Sequence, residues 1–144
     1  MMKKTLLALC TTIGLTLGGT VLADQVKGLN VVVTSPDRQT QMMAMVLSMQ
    51  TLSKHNKAVN MVLCGAAGDL SLKETKTEVV KPVGLSPSQL LGKIIQLGAK
   101  VEVCPLYLPN AGKTEEALLE GVSVAKPPVV AGRLLDDNYH TLSY

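Results

Sequence analysis

Hydrophobic positions along the chain switch between a period of two and a period near 3.6. Leu29 to Thr34 (Leu-Asn-Val-Val-Val-Thr) is a β-branched run, the near-continuous apolar pattern of a strand buried on both faces. Ser35-Pro36-Asp37 follows as a strand end and helix start, with Ser35 or Asp37 as the cap. From Arg38 to Lys54 the pattern becomes helical: Met42, Met45, Val46, Met49 and Leu52 fall on one face, and Met43 and Leu47 lie off it. Ala58 to Cys64 (Ala-Val-Asn-Met-Val-Leu-Cys) is a second strand, and Gly65-Ala66-Ala67-Gly68 a turn at its carboxyl end. Leu70 to Val83 alternates charge with Thr and Val, as an exposed excursion or a Lys-rich edge strand would.

Ser86 caps a second helix with Pro87 in its first turn, Leu90, Leu91, Ile94, Ile95 and Leu97 form its apolar face, and Gly98 stops it. Val101 and Val103 alternate with Glu102 in a third strand that stops at Cys104, because Pro105 cannot donate a ladder hydrogen bond and biases Cys104 toward an extended backbone. Thr114 to Gly121 reads as a third helical piece, residues 121–125 as short and extended, Pro127 or Pro128 to about Asp136 as a last helix, and Tyr139 to Tyr144 as a last strand. Strands alternating with helices predict parallel βαβ units: a three-layer α/β fold with a mostly parallel sheet and helices on both faces, of flavodoxin/Rossmann-like topology.

The amino terminus adds a compartment. Lys3 and Lys4, the apolar and small run from Thr5 to Leu22, and Val21-Leu22-Ala23 before Asp24 form a secretory signal peptide pattern over residues 1–23, leaving one domain at residues 24–144 in the periplasm or outside the cell. After cleavage no membrane span is expected. Without Lys3 and Lys4 the 14 basic residues fall to 12 against 11 acidic ones, a near balance that argues against nucleic acid or an anionic membrane as partner. With no Trp and no Phe, the core has to be built from aliphatic residues and Met. The cluster Met42, Met43, Met45 and Met49 invites Cu(I), since soft thioethers suit it, but a Met stripe on a helix is first a packing face.

Familiar catalytic constellations are missing from the sequence. Gly112-Lys113-Thr114 resembles the tail of a phosphate-binding loop, but Tyr107 stands where that loop needs its first Gly. His55 and His140 have no metal-ligand spacing with Cys64 or Cys104, and no carboxylates are arranged for acid–base work, so neither a metal nor a cofactor is expected. A Cys104–His140 nucleophile pair would depend on the fold.

Cys104 is the best candidate for chemistry: a thiol where a strand becomes a loop, the place where ligands collect in open α/β sheets. Its bland alternative is a buried small hydrophobe. Cys64 also ends a strand, and is a candidate resolving thiol or disulfide partner. If another strand separated theirs, two strand spacings of about 9–10 Å would exceed the roughly 7 Å limit for bridging, so the pairing depends on strand order.

Four segments carry a family resemblance: Asn30-Val-Val-Val-Thr-Ser-Pro36, Val101-Glu-Val-Cys104, Leu119-Glu-Gly-Val122 and Asn138-Tyr-His-Thr-Leu-Ser-Tyr144. Through them the chain resembles the DsrE/DsrF-like family, of which it would be an exported, stand-alone member. The resemblance implies an α/β sheet protein that assembles as a homo-oligomer, a trimer or hexamer. It also implies a sulfur carrier in which Cys104, at the position of the family's reactive cysteine, bears a persulfide exchanged with a donor or acceptor protein. The loop after that cysteine often has basic residues in the family; here Pro105 to Gly112 has no charge. The alternative function is a non-enzymatic oligomeric binding module with a structural cysteine.

Overall fold

The protein is described by a computed structural model covering residues 26–144, and the export segment expected at residues 1–23 lies outside the described residues. Among the described residues, five strands and four helices alternate in the order β1 (Gly28–Val33), α1 (Arg38–His55), β2 (Ala58–Leu63), α2 (Pro87–Gln96), β3 (Lys100–Val103), α3 (Tyr107–Asn110), β4 (Val122–Val124), α4 (Pro127–Leu134) and β5 (Tyr139–Ser143). The sheet order is β4-β3-β2-β1-β5, and every pairing is parallel. This is the expected three-layer α/β architecture. The chain steps from β1 to β4 in one direction, so right-handed crossovers put α1 and α2 on one face. The return from β4 to the far side of β1 puts α4 on the other.

Local chemistry sets these boundaries. Asp37 caps α1 by accepting the Thr40 backbone N–H at 2.7 Å, which also holds its carboxyl below the usual carboxylate range. Ser86 and Gln89 form a reciprocal capping box at α2, with Pro87 in the first turn. Asn56 closes α1 in the left-handed conformation.

The face under α1 and α2 is the main core. Val31, Val33, Val59, Met61, Leu63 and Val101 point from the strands into Met42, Met45, Leu90, Leu91 and Ile94. The methionine stripe is therefore a packing face: Met42 and Met45 are buried, Met49 packs beside them, and Met43 and Leu47 face out.

The opposite face carries a polar row. Asn60 Nδ2 donates to Asn30 Oδ1 at 3.1 Å, and Asn30 Nδ2 donates to the Arg133 carbonyl at 2.5 Å. The Arg133 guanidinium pairs with Glu102, and Lys100 Nζ lies 3.5 Å from the same carboxylate. Glu102 is 5% exposed, so a buried ion pair and an amide ladder fasten α4 to the sheet.

Three expectations are corrected. The helix predicted over Thr114 to Gly121 is only a 3₁₀ turn, Glu115–Ala117, and Thr114 makes no side-chain cap. Its backbone is claimed elsewhere: Leu119 N donates to the Ser71 carbonyl at 2.7 Å, and Leu118 bridges Leu72, so tertiary pairing overrides helical propensity. The stretch from Leu70 to Val83 is not wholly exposed, because Leu70, Ser71 and Leu72 are buried and Leu72 joins a second cluster with Val103, Leu108 and Leu118. A short helix, α3, also sits in what reads as a plain loop. Among the described residues, no helix is long and apolar enough to cross a membrane.

Breaking the buried pair strands a charge, whereas replacing both partners does not. Arg133→Met is expected to destabilise the protein by about 3 kcal/mol. Urea unfolding of the double variant Glu102→Leu/Arg133→Met should recover most of that loss.

Candidate functional site

Because all five strands are parallel, their carboxyl ends share one rim of the sheet. The strand order reverses beside β1, but the β1–β5 crevice is closed: the Tyr144 carbonyl accepts the Thr34 N–H at 2.7 Å and the Thr34 hydroxyl at 2.9 Å. The reactive side chains gather one strand further along, at the ends of β2 and β3.

β2 and β3 are direct neighbours, with Leu63 opposite Val103. Cys64 and Cys104 follow these residues and extend the register; Cys104 N donates to the Leu63 carbonyl at 2.8 Å. Adjacent strands lie about 4.7–4.9 Å apart, inside the roughly 4.4–6.8 Å window of Cα separations that a disulfide spans. The two-strand separation weighed from the sequence does not occur. Pleating places Cys64 on the face of Val62 and Cys104 on the face of Glu102, which is the face α4 covers. Both are free, half-buried thiols.

His140 cannot partner Cys104. Its strand, β5, is three positions from β3 in the sheet, about 14 Å away, and His140 pairs with Leu29 at the opposite end of the strands. His55 closes α1 and is exposed. Lys113, in the segment that resembles a phosphate loop, pairs with Glu74 at 2.6 Å.

Two clefts open at the thiols. A cavity of about 400 Å³ is walled by Val62, Cys64, Cys104, Leu106 and, from α4, Val130 and Leu134. A second of about 420 Å³ is lined by Gly65, Cys104, Leu106, Tyr107, Asn110 and Ala111. Cys104 borders both clefts, and Cys64 only the first. Leu106, 70% exposed, stands between them.

Neither cleft is lined by a charged side chain. Burial pushes the Cys64 thiol up to about 11, and the neighbouring Cys104 adds to the rise. Tyr107 is fixed from below. Its ring lies over Gly68, where an added Cβ would come within 2.2 Å of the ring, so only Gly permits the approach. Its hydroxyl donates to Asp69, and burial, that carboxylate and Glu74 raise its pKa. The glycines after Cys64 thus seat the wall of the second cleft, which a turn alone does not require.

Sequence reasoning found both thiols but missed Tyr107, Asn110 and the α4 wall. The spacing of Val130 and Leu134, one helical turn apart, was the available signal for that wall.

No family model matches the chain, and no curated protein matches it. Solved structures do. A protein of unknown function, MTH1491 from Methanobacterium thermoautotrophicum, superposes with a TM-score of 0.63 at 12% identity, covering 81% of this chain and 98% of its own. The ychN protein from E. coli gives 0.61 at 18% identity, over 81% of this chain and 99% of its own. At these identities the likeness shows the fold alone.

Two measurements check the site. Ultraviolet thiolate absorbance should place Cys64 near 11, and Cys104→Ser should lower that value while leaving it above 9.0, since burial is the larger cause. Gly68→Ala should displace Tyr107 and cost about 1–3 kcal/mol in urea unfolding.

Proposed function

We propose that the protein is a sulfur carrier: Cys104 takes a sulfane sulfur as a persulfide and passes it to an acceptor. What supports this reading most is the position of Cys104, half-buried at the carboxyl end of β3 and bordering two clefts, in a chain whose sequence resembles the DsrE/DsrF-like family. Through the second cleft a donor can reach the sulfur without disturbing the core. Persulfide transfer is an exchange between sulfur atoms, so it needs a thiolate and access rather than a metal or a carboxylate pair. On the same reading the chain is exported, acts in the periplasm or outside the cell as a homo-oligomer, and meets a sulfur donor or acceptor protein there.

A second reading is a binding module, favoured by the apolar walls of the first cavity: Val62, Leu106, Ala125, Val130 and Leu134 would take an uncharged apolar ligand. Its thiols would then be structural.

Incubation with inorganic polysulfide separates the two. Intact-mass spectrometry should show a gain of one sulfur atom that Cys104→Ser abolishes. An unchanged mass, with Cys104 labelled by a thiol-reactive dye only after denaturation, would favour the binding module.

A further inference from the structure

We propose that Cys64 is the resolving thiol of this site: it displaces sulfide from a persulfide on Cys104 and leaves a Cys64–Cys104 disulfide. The proposal rests on the carrier reading of Cys104 and adds a fate for the carried sulfur.

The geometry carries it. The register that pairs Leu63 with Val103 puts the two cysteines side by side on neighbouring strands and on one face. The strand spacing of about 4.7–4.9 Å lies within the window of Cα separations that a disulfide spans. Both thiols are free and border the same cavity. Their roles differ by access. Cys104 also borders the Tyr107 and Asn110 cleft, which makes it the sulfur that donors and acceptors reach, whereas Cys64 is reached from the α4 side.

The step balances without an outside oxidant. The Cys64 thiolate attacks Cys104 Sγ, a bond forms between the two protein sulfurs, and the bond from Cys104 Sγ to the outer sulfur breaks. The outer sulfur leaves with the electron pair as HS⁻ and takes the proton that Cys64 gave up, forming H₂S. Two protein sulfurs are oxidised by one electron each, and the sulfane sulfur is reduced by two. In reverse, hydrosulfide cleaves the disulfide and reloads the persulfide. The pair therefore couples carried sulfur to free sulfide. Near neutral pH Cys64 stays a thiol, so the persulfide lasts long enough to meet an acceptor.

The test loads the full wild-type chain and the Cys64→Ser variant with inorganic polysulfide, removes the excess, and follows intact mass, released sulfide and non-reduced peptide maps. In the wild type the one-sulfur adduct should decay as sulfide appears and as the peptides of Cys64 and Cys104 become linked. In Cys64→Ser the adduct should persist about tenfold longer or more, with no linked peptide. Cys64→Ala, checked for native circular dichroism, replaces the serine variant if that one misfolds. An adduct that decays at one rate in both proteins, or decays in the wild type without the linked peptide, overturns the resolving role alone. No adduct in either protein overturns the carrier reading, and the resolving step with it.

Discussion

The pairing of Leu63 with Val103 is the contact on which the site depends. In a parallel ladder the register fixes every later pair, so Cys64 and Cys104 are held as neighbours by residues that carry no chemistry. A slip of one residue would turn one thiol into the core beneath α1 and α2. Two independent requirements select the same register. Met61, Leu63 and Val101 must face the helices, and Glu102 must face Arg133. Apolar burial on one side of the sheet and an ion pair on the other therefore position two sulfur atoms at its rim.

The ion pair has a second consequence. α4 is short, and Val129, Leu134 and Leu135 around it are exposed, so burial alone anchors it weakly. Arg133 compensates from both ends of the residue: its guanidinium reaches Glu102 on β3, and its carbonyl accepts the Asn30 amide from β1. Contacts to two different strands fix how the helix lies across the sheet. Val130 and Leu134 then stand over the cysteines as the wall of the apolar cavity. A buried pair of this kind is costly to desolvate and damaging to break. Its role here is to locate a wall as much as to stabilise the fold.

Much of this was legible in the residues themselves. The β-branched run at Val31 to Val33, the capping signals at Asp37 and Ser86, and the Pro105 stop after Cys104 mark elements by strictly local rules. The methionine stripe gave the buried face of α1 for the same reason. Where the reading failed, backbone groups were claimed by distant partners. Leu118 and Leu119 bond to the segment around Ser71 and Leu72 and never complete a helix. Strand order was equally hidden, since it follows from which crossovers pack on which face. For that reason neither the adjacency of Cys64 and Cys104 nor the distance of His140 could be read before the fold. The pairing of Glu102 with Arg133 was hidden for the same reason, because 31 residues separate them in sequence.

The lining of the clefts narrows the chemistry that can happen there. Apart from the thiols, Tyr107 and Asn110 supply the polar side chains, and the Tyr107 hydroxyl is committed to Asp69. Acyl or phosphoryl transfer develops charge on oxygen and relies on donors aimed at it. Exchange between sulfur atoms only moves a charge from one sulfur to the next, and thiolate fraction and access govern its rate. Burial raises the Cys64 thiol, lowers its thiolate fraction and so slows its part in any exchange. Such a lining suits the proposed carrier, which holds sulfur between encounters, better than a site that turns over quickly. On the carrier reading proposed above, help for loading or unloading would come from the donor or acceptor at Cys104, by way of the cleft beside Tyr107.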